Sequence, residues 1–124
     1  MIRFICTKDY DDMSRKAANI IGSLIVNKPN CVLGLATGAS LIPTYNNIIK
    51  NFNEGGLSFK DVKTYNLDEY CNLPKEDKNS YYTFMHKQLF DSIDILEENV
   101  HFLDGNAADT EAECKRYDDE INAA

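Results

Sequence analysis

The sequence predicts an α/β protein in which a parallel β-sheet carries helices on both faces. Two observations support this fold class. Short, β-prone apolar runs alternate with segments of helical periodicity in the order βαβαβαβα. The length of 124 residues and the hydrophobic content of 44% fit one globular domain, near the lower size limit for an α/β enzyme.

Each predicted element is supported by local signals. The first helix carries apolar residues at helical spacing. The second has Pro43 in its first turn, where a missing N–H is tolerated, and Gly55-Gly56 end it. In the last helix, Thr110-x-x-Glu113 fits a capping box. The predicted strands are residues 3–6, 31–36, 62–67 and 100–103, and the predicted helices are residues 9–27, 41–52, 80–90 and 110–124.

This alternation favours a three-layer, Rossmann-like sheet with one buried core. The core is expected to consist of aliphatic side chains from the predicted strands and the first two helices. They are Ile20, Leu24, Val32, Leu33, Leu35, Ile48 and Val62.

Charge and composition exclude several classes of function. A net charge of -7 leaves no basic patch, so we expect no nucleic-acid partner. No segment approaches the roughly 20 apolar residues of a membrane span, and residues 1–6 do not resemble a signal peptide. We therefore expect no membrane partner and a cytoplasmic protein whose four cysteines are reduced. They form no C-x-x-C pair, and the two histidines show no metal-ligand spacing, so no metal is expected.

A small polar loop, Thr37-Gly38-Ala39-Ser40, lies between the second predicted strand and a helix. Unpaired N–H groups and the helix dipole favour an anion at such a place. Gly38 would let the backbone approach a ligand, and the Thr37 and Ser40 hydroxyls can donate. The loop has neither a Walker lysine nor G-x-G-x-x-G spacing. Two interpretations stay open, a phosphate site and a plain turn with Ser40 as N-cap.

Two adjacent carboxylates, Asp68 and Glu69, follow the third predicted strand. The carboxyl ends of parallel strands form the edge at which open α/β sheets bind their ligands. Asn66 and Tyr70 could orient Asp68, and Leu67 could exclude water, so that Asp68 acts as a base near neutral pH. The alternative is a solvated turn. With the polar loop, the pair predicts chemistry on a phosphorylated small molecule.

Several segments together resemble the N-terminal half of the glucosamine-6-phosphate deaminases, which isomerise an amino-sugar phosphate and release ammonia. The resemblance covers nearly the whole chain. Each segment is short, and the combination is specific. The segments are LGLATG at 33–38, EGGLSF at 54–59, NLDEY at 66–70, LP at 73–74, SYYTFM at 80–85 and LDGNA at 103–107.

The resemblance implies a role for each matching residue. Asp68 would move the proton from C2 to C1 of the open-chain sugar, and Glu69 would support it. Tyr81 would line the mouth of the active site. The substrate would be a small amino-sugar phosphate, with no organic cofactor and no metal, and the enzyme could be a homo-oligomer. The residues expected on the phosphate are Thr37, Gly38, Ala39 and Ser40.

The sequence departs from the family pattern in two places. The family usually has Thr-Pro after its T-G and a small residue, whereas here Ser40-Leu41 follows and the proline is displaced to Pro43. The family also continues past the position of Ala124 into a loop with ring-opening Asp, His and Glu residues and further basic phosphate ligands. Residues 1–124 are therefore expected to be the N-terminal part of a single sugar-phosphate isomerase domain, inactive alone.

Two other functions stay open. A 6-phosphogluconolactonase-like hydrolase belongs to the same superfamily, but there the Asp-Glu pair is typically followed by Arg rather than by Tyr70. A non-catalytic sugar-phosphate-sensing domain of a regulator can share this fold. It would need a DNA-binding helix-turn-helix, and this acidic chain starts directly with the first predicted strand.

Overall fold

A three-stranded parallel sheet lies at the centre of the computed structural model, which describes every residue from Met1 to Ala124. The strands lie side by side in chain order, β1-β2-β3, and helices connect and cover them. The fold class predicted from the sequence is therefore confirmed. The elements are α1 (Tyr10–Asn27), β1 (Val32–Leu35), α2 (Ile42–Asn53), β2 (Lys63–Asn66), α3 (Tyr81–Gln88), β3 (Val100–His101) and α4 (Thr110–Ala123).

Three of the four helices begin at a side-chain cap. Asp9, Ser80 and Asp109 each accept a hydrogen bond from the backbone N–H three residues further on. Such a cap satisfies one of the N–H groups that a helix start leaves unpaired. The capping box predicted at Thr110 is wrong, because Asp109 caps α4. Glu113 instead accepts a hydrogen bond from the Asp104 N–H at 2.8 Å.

The helices form layers on the two faces of the sheet. One face, which includes Leu35, packs on Ala18 of α1 and Ile48 of α2 in a single hydrophobic core. On the other face, the buried Tyr117 of α4 packs edge-on against Tyr65. The Tyr117 hydroxyl also donates to the backbone carbonyls of Asn66 (2.8 Å) and His101 (3.0 Å). These bonds fix α4 over β2 and β3.

Only part of the predicted core is buried. Leu35, Ile48 and Val62 are buried, and Leu33 packs partly against them. The prediction was wrong for three residues, which are exposed: Ile20 (52%), Leu24 (43%) and Val32 (40%).

The exposure of these three residues has two structural reasons. Residues of α1 at positions 14, 18, 21 and 25 form the stripe that faces the core, and Ile20 and Leu24 lie on the flank of that stripe. Val32 lies on the sheet face that α4 covers only at β2 and β3. The apolar residues were recognised correctly, but the side of α1 that meets the core and the face of β1 that α4 leaves open were not.

The strand predicted at residues 3–6 is not formed. A strand needs a neighbour for its ladder, and no strand pairs with this segment or with the outer edge of β1. Ile2 and Phe4 are 82% and 89% exposed, so apolar packing does not fix the segment either. Its polar contact is a hydrogen bond from the Lys16 ammonium to the Cys6 carbonyl at 3.4 Å.

Two carboxylates should make the stability of the fold depend on acidic pH. The Lys8 backbone N–H, with the Lys16 and Arg15 side chains, lowers the pKa of the buried Asp12 to about 2. Hydrogen bonding from Arg116 lowers the pKa of Glu113 to about 2. Carboxyl groups in the unfolded chain titrate near pH 4, so the folded state binds protons less readily. Their contribution is complete above about pH 5 and is lost as pH falls from about 4 to 2.

Urea unfolding of the 124-residue chain, followed by circular dichroism between pH 2 and 6, measures this dependence. We expect a midpoint that is constant above pH 5 and falls steadily below pH 4. Asp12→Asn should lower the midpoint at pH 6 and flatten its fall at low pH. A midpoint that does not change between pH 5 and 2 would contradict the assignment.

Candidate active site

The register of the sheet brings the two predicted site segments together. Leu35 at the end of β1 is paired with Asn66 at the end of β2, and the Leu67 N–H donates to the Leu35 carbonyl at 3.1 Å. Thr37 and Asp68 each follow two residues after this pair. Neighbouring strands are about 4.8 Å apart. The polar loop and the carboxylate therefore leave the same edge of the sheet side by side.

The polar loop has the backbone geometry expected of an anion site. Gly38 has φ +126° and ψ 148°, a backbone conformation that residues other than glycine rarely adopt. The residues after it form a 3₁₀ turn, Ala39–Leu41, which runs directly into α2. No side chain caps the start of this turn or the start of α2, in contrast to the other helices. The N–H groups there remain without a side-chain cap.

Ser40 does not cap the helix, so that part of the plain-turn interpretation is wrong. Its backbone carbonyl instead accepts a hydrogen bond from the Tyr10 hydroxyl of α1. The buried Tyr45 of α2 similarly donates to the Ala36 carbonyl. These two tyrosines hold the loop from both sides and leave Ala39 and Ser40 exposed.

The structure gives the two adjacent carboxylates different surroundings. Asp68 is exposed, and no hydrogen bond within the chain occupies its side chain. The Glu69 carboxylate accepts hydrogen bonds from three backbone N–H groups, those of Tyr70 (2.8 Å), Tyr81 (2.9 Å) and Tyr82 (2.9 Å). Glu69 thus stabilises the positive end of α3. Asp68 is the carboxylate of the pair that is exposed and without a hydrogen-bond partner in the chain.

Tyr81, predicted at the mouth of the site, lies beside Tyr70. The two rings are 4.7 Å apart between centroids. Interaction with Tyr81 is the main cause that raises the pKa of Tyr70, and the negative charges of Asp68 and Glu69 add to it. Tyr70, Tyr81 and Asp68 therefore share one neighbourhood. Leu67, expected to shield Asp68 from water, is 66% exposed and does not do so.

A third segment at this edge was not recognised as part of the site from the sequence. The turn Asp104–Asn106 follows β3 and contacts the loop that follows Glu69. Gly105 accepts a hydrogen bond from the Asn72 N–H at 2.9 Å, and the Asn106 side chain donates to the Leu73 carbonyl at 2.8 Å. Gly105 was the available signal in the sequence, because a glycine can mark a close approach between two backbone segments. The sequence does not reveal which segment Gly105 approaches.

Beside this turn, a cavity of about 450 Å³ opens between α3 and the end of β3. Glu69, Lys75, Glu97 and Asp104 contribute charged groups to its lining. Asn66, by contrast, is buried on the sheet, with both polar atoms of its side chain unpartnered. The expectation that Asn66 orients Asp68 is not supported by a contact between them.

The remaining candidate side chains have structural partners. His86 of α3 contacts the Glu97 carboxylate at 2.9 Å, and His101 contacts Glu120 at 2.7 Å. The four cysteines are free; burial raises the pKa of the Cys31 thiol, and the other three are exposed. No cluster of three His, Cys, Asp or Glu side chains could hold a metal ion. None of the helices is both long enough and apolar enough to cross a membrane.

Comparison with known proteins agrees with the resemblance seen in the sequence. Residues 8–124 match the family of glucosamine-6-phosphate isomerases and 6-phosphogluconolactonases. The chain is similar to the glucosamine-6-phosphate deaminase of Lysinibacillus sphaericus, with 48% identity over 123 residues, 99% of this chain and 52% of that protein. The chain thus spans about half the length of the curated relatives it matches.

Two solved structures define the fold. A monomeric glucosamine-6-phosphate deaminase has a TM-score of 0.94 and 38% identity, with 98% of this chain and 51% of that chain covered. The 6-phosphogluconolactonase of Thermotoga maritima has a TM-score of 0.73 and 21% identity, with 97% and 53% covered. The second likeness concerns the fold alone. Because the family match extends over nearly the whole chain, the protein belongs to the glucosamine-6-phosphate isomerase and 6-phosphogluconolactonase family.

Proposed function

We propose that this chain carries the proton-transfer part of a glucosamine-6-phosphate deaminase. One observation carries the proposal: Leu35 pairs with Asn66, so the exposed Asp68 and the uncapped Gly38 loop follow neighbouring strands at the same edge of the sheet. A phosphorylated sugar could bind the loop by its phosphate and present its other end to Asp68. Relatives between 43% and 48% identical that carry the deaminase name support this choice of reaction.

The proposed reaction begins with the open-chain form of glucosamine 6-phosphate. Asp68 takes the proton from C2, and the resulting enolamine receives a proton at C1. The double bond to nitrogen then lies at C2, where water adds and ammonia leaves, giving fructose 6-phosphate. Fixing the phosphate positions C2 against a general base, and the combination of positioning and proton transfer is sufficient for such a rearrangement.

In this proposal each site residue has one task. Asp68 is the base, and Glu69 holds the start of α3 against the loop that carries Asp68. Tyr81 lies beside them at the opening. The phosphate is bound by the loop residues Thr37, Gly38, Ala39 and Ser40. A cytoplasmic location and a possible homo-oligomer stay predictions, and the solved deaminase of similar fold is described as monomeric.

We also propose that residues 1–124 form the N-terminal part of a single isomerase domain. The lengths of the relatives and the unpaired outer edge of β1 support this arrangement. The decisive experiment therefore uses a joined protein, in which residues 1–124 precede the part of the L. sphaericus deaminase that this chain does not match. We expect it to release ammonia from glucosamine 6-phosphate. Hydrolysis of 6-phosphogluconolactone without ammonia release would favour the lactonase alternative.

The phosphate loop can be tested by one substitution in the joined protein. Gly38→Val should raise KM for glucosamine 6-phosphate about 5–30-fold, the equivalent of roughly 1–2 kcal/mol, because the side chain disturbs the N–H groups that bind the anion. Steady-state kinetics of ammonia release measure the change.

Gly55→Val provides the matched control. Gly55 has φ +90° and no atom within 4 Å of an added Cβ, so the substitution creates comparable backbone strain after α2, outside the polar loop. We expect its KM to equal that of the unsubstituted joined protein. An unchanged KM in Gly38→Val would contradict the phosphate site and favour the interpretation of the loop as a plain strand-to-helix turn.

A further inference from the structure

The loop that carries Asp68 is held on two sides, and only one of them involves a predicted site residue. It leaves β2 after Asn66 and reaches α3 only at Tyr81. Glu69 fixes one side by its bonds to the start of α3. The other side rests on the turn Asp104–Asn106, which we call the clamp turn.

The contact at the centre of the clamp turn is unusually close. A Cβ on Gly105 would lie 1.8 Å from the Tyr70 carbonyl oxygen and 2.9 Å from its carbon. Real Cβ atoms do not approach backbone so closely, so only glycine allows the two chains to meet in this arrangement. Tyr70 is two residues from Asp68. Any side chain at position 105 must therefore push the clamp turn and the segment that carries the proposed base apart.

Hydrogen bonds on both sides of this contact fix its position. The Asn72 N–H donates to the Gly105 carbonyl at 2.9 Å, with Asn72 itself in the left-handed region at φ +59°. The Asn106 side chain donates to the Leu73 carbonyl at 2.8 Å. The clamp turn and the Asp68 loop are thus joined by two hydrogen bonds and one steric contact.

The clamp turn is itself anchored to the rest of the fold. The Asp104 N–H donates to Glu113 of α4 at 2.8 Å, and Glu113 is held in turn by Arg116 at 2.7 Å. Within the turn, the Asp104 carboxylate accepts from the Asn106 N–H at 2.9 Å. The chain of contacts runs from α4 through the clamp turn to the Asp68 loop.

From this geometry we propose that Gly105 and Asn106 are positioning residues for Asp68. The inference rests on the proposed function of Asp68 as the base. Proton transfer depends on the position of the base to within about 1 Å, and a misplacement of that size can lower the rate about 10²-fold. The Gly38 loop follows β1, on the far side of β2 from the clamp turn, so phosphate binding should not depend on the clamp.

The test compares kcat and KM for ammonia release from glucosamine 6-phosphate in the joined protein. Gly105→Ala should lower kcat about 10–10²-fold with KM changed less than about 2-fold, because the base moves while the phosphate site stays. Asn106→Ala removes one hydrogen bond without adding an atom, and it should lower kcat in the same way by a few-fold. Circular dichroism and thermal unfolding report whether each variant folds.

Gly22→Ala is the matched control. An added Cβ at Gly22 in α1 meets only the Leu57 side chain at an ordinary 4.0 Å, so kcat and KM should be unchanged. If Gly105→Ala does not fold, Asn106→Ala decides the question. Unchanged kcat in every folded variant, or an increase in KM alone, overturns the positioning role. A folded joined protein that releases no ammonia before any substitution overturns the proposed function, and the positioning role with it.

Discussion

Replacing Asp68 by Asn in the joined protein should lower turnover about 10²–10⁴-fold, the usual contribution of a positioned general base. The change is nearly isosteric, and no hydrogen bond within the chain depends on the Asp68 carboxylate, so fold and phosphate binding should persist. The expected result is a loss in kcat with KM nearly constant. Ammonia release measured over a range of substrate concentrations separates the two parameters.

Asp61→Asn is the matched control for this substitution. Asp61 is also exposed, but it lies in the turn before β2, at the opposite end of the strand that precedes Asp68. Its replacement should leave turnover unchanged. Near-normal turnover in Asp68→Asn would make Asp68 a solvated turn residue and would remove the base from the proposed reaction.

The neighbouring carboxylate should respond differently to the same kind of change. Glu69→Gln keeps one acceptor oxygen but loses the charge that stabilises the start of α3. Its two longest-range bonds, to the N–H groups of Tyr81 and Tyr82, link the Asp68 loop to that helix. In the proposed function, the pair would therefore divide chemistry and structure between two adjacent residues. Sequence adjacency alone could not assign the two roles, since the partners of Glu69 lie 12 and 13 residues away.

Local patterns predicted those parts of the fold that local interactions determine. The alternation of apolar runs and helical periodicity predicted the parallel sheet, because each segment had its own turn signals and spacing. The prediction of a strand at residues 3–6 was wrong for a reason that lies outside the segment. A strand forms only where a neighbouring strand can share hydrogen bonds with it, and this segment has no such neighbour. The predicted burial of Ile20, Leu24 and Val32 was also wrong, because it depends on which side of α1 meets the core and on which face of β1 is covered, and no local pattern reports either.

The candidate site likewise has a part that the sequence could predict and a part that it could not. The sheet edge that joins Thr37 and Asp68 could be predicted, because parallel strands place their carboxyl ends together. The clamp turn could not, since Gly105 meets Tyr70 across 35 residues of chain and glycine alone does not identify its neighbour. The prediction of a capping box at Thr110 was wrong because Asp109, one residue earlier, caps α4, and Glu113 instead accepts a hydrogen bond from the Asp104 N–H.

Residues 1–124 alone should show no measurable deaminase turnover, in contrast to the joined protein. This expectation rests on the proposed function. The chain supplies the candidate base and the backbone of the phosphate loop, whereas the family resemblance implies that ring opening and cationic phosphate ligands come from the remaining half. In the chain by itself, the outer edge of β1 has no partner strand.

The same open edge should affect the solution behaviour of the isolated chain. Unpaired strand edges and contiguous apolar surface favour association with other molecules. Leu67, which follows β2, is 66% exposed, and Leu24 and Val32 are exposed as well. We therefore expect size-exclusion chromatography to show self-association that increases with protein concentration. The ammonia assay is run on the same fractions, with the joined protein as the positive control. A stable monomer of residues 1–124 with turnover near that of the joined protein would show that the essential chemistry lies entirely within this chain.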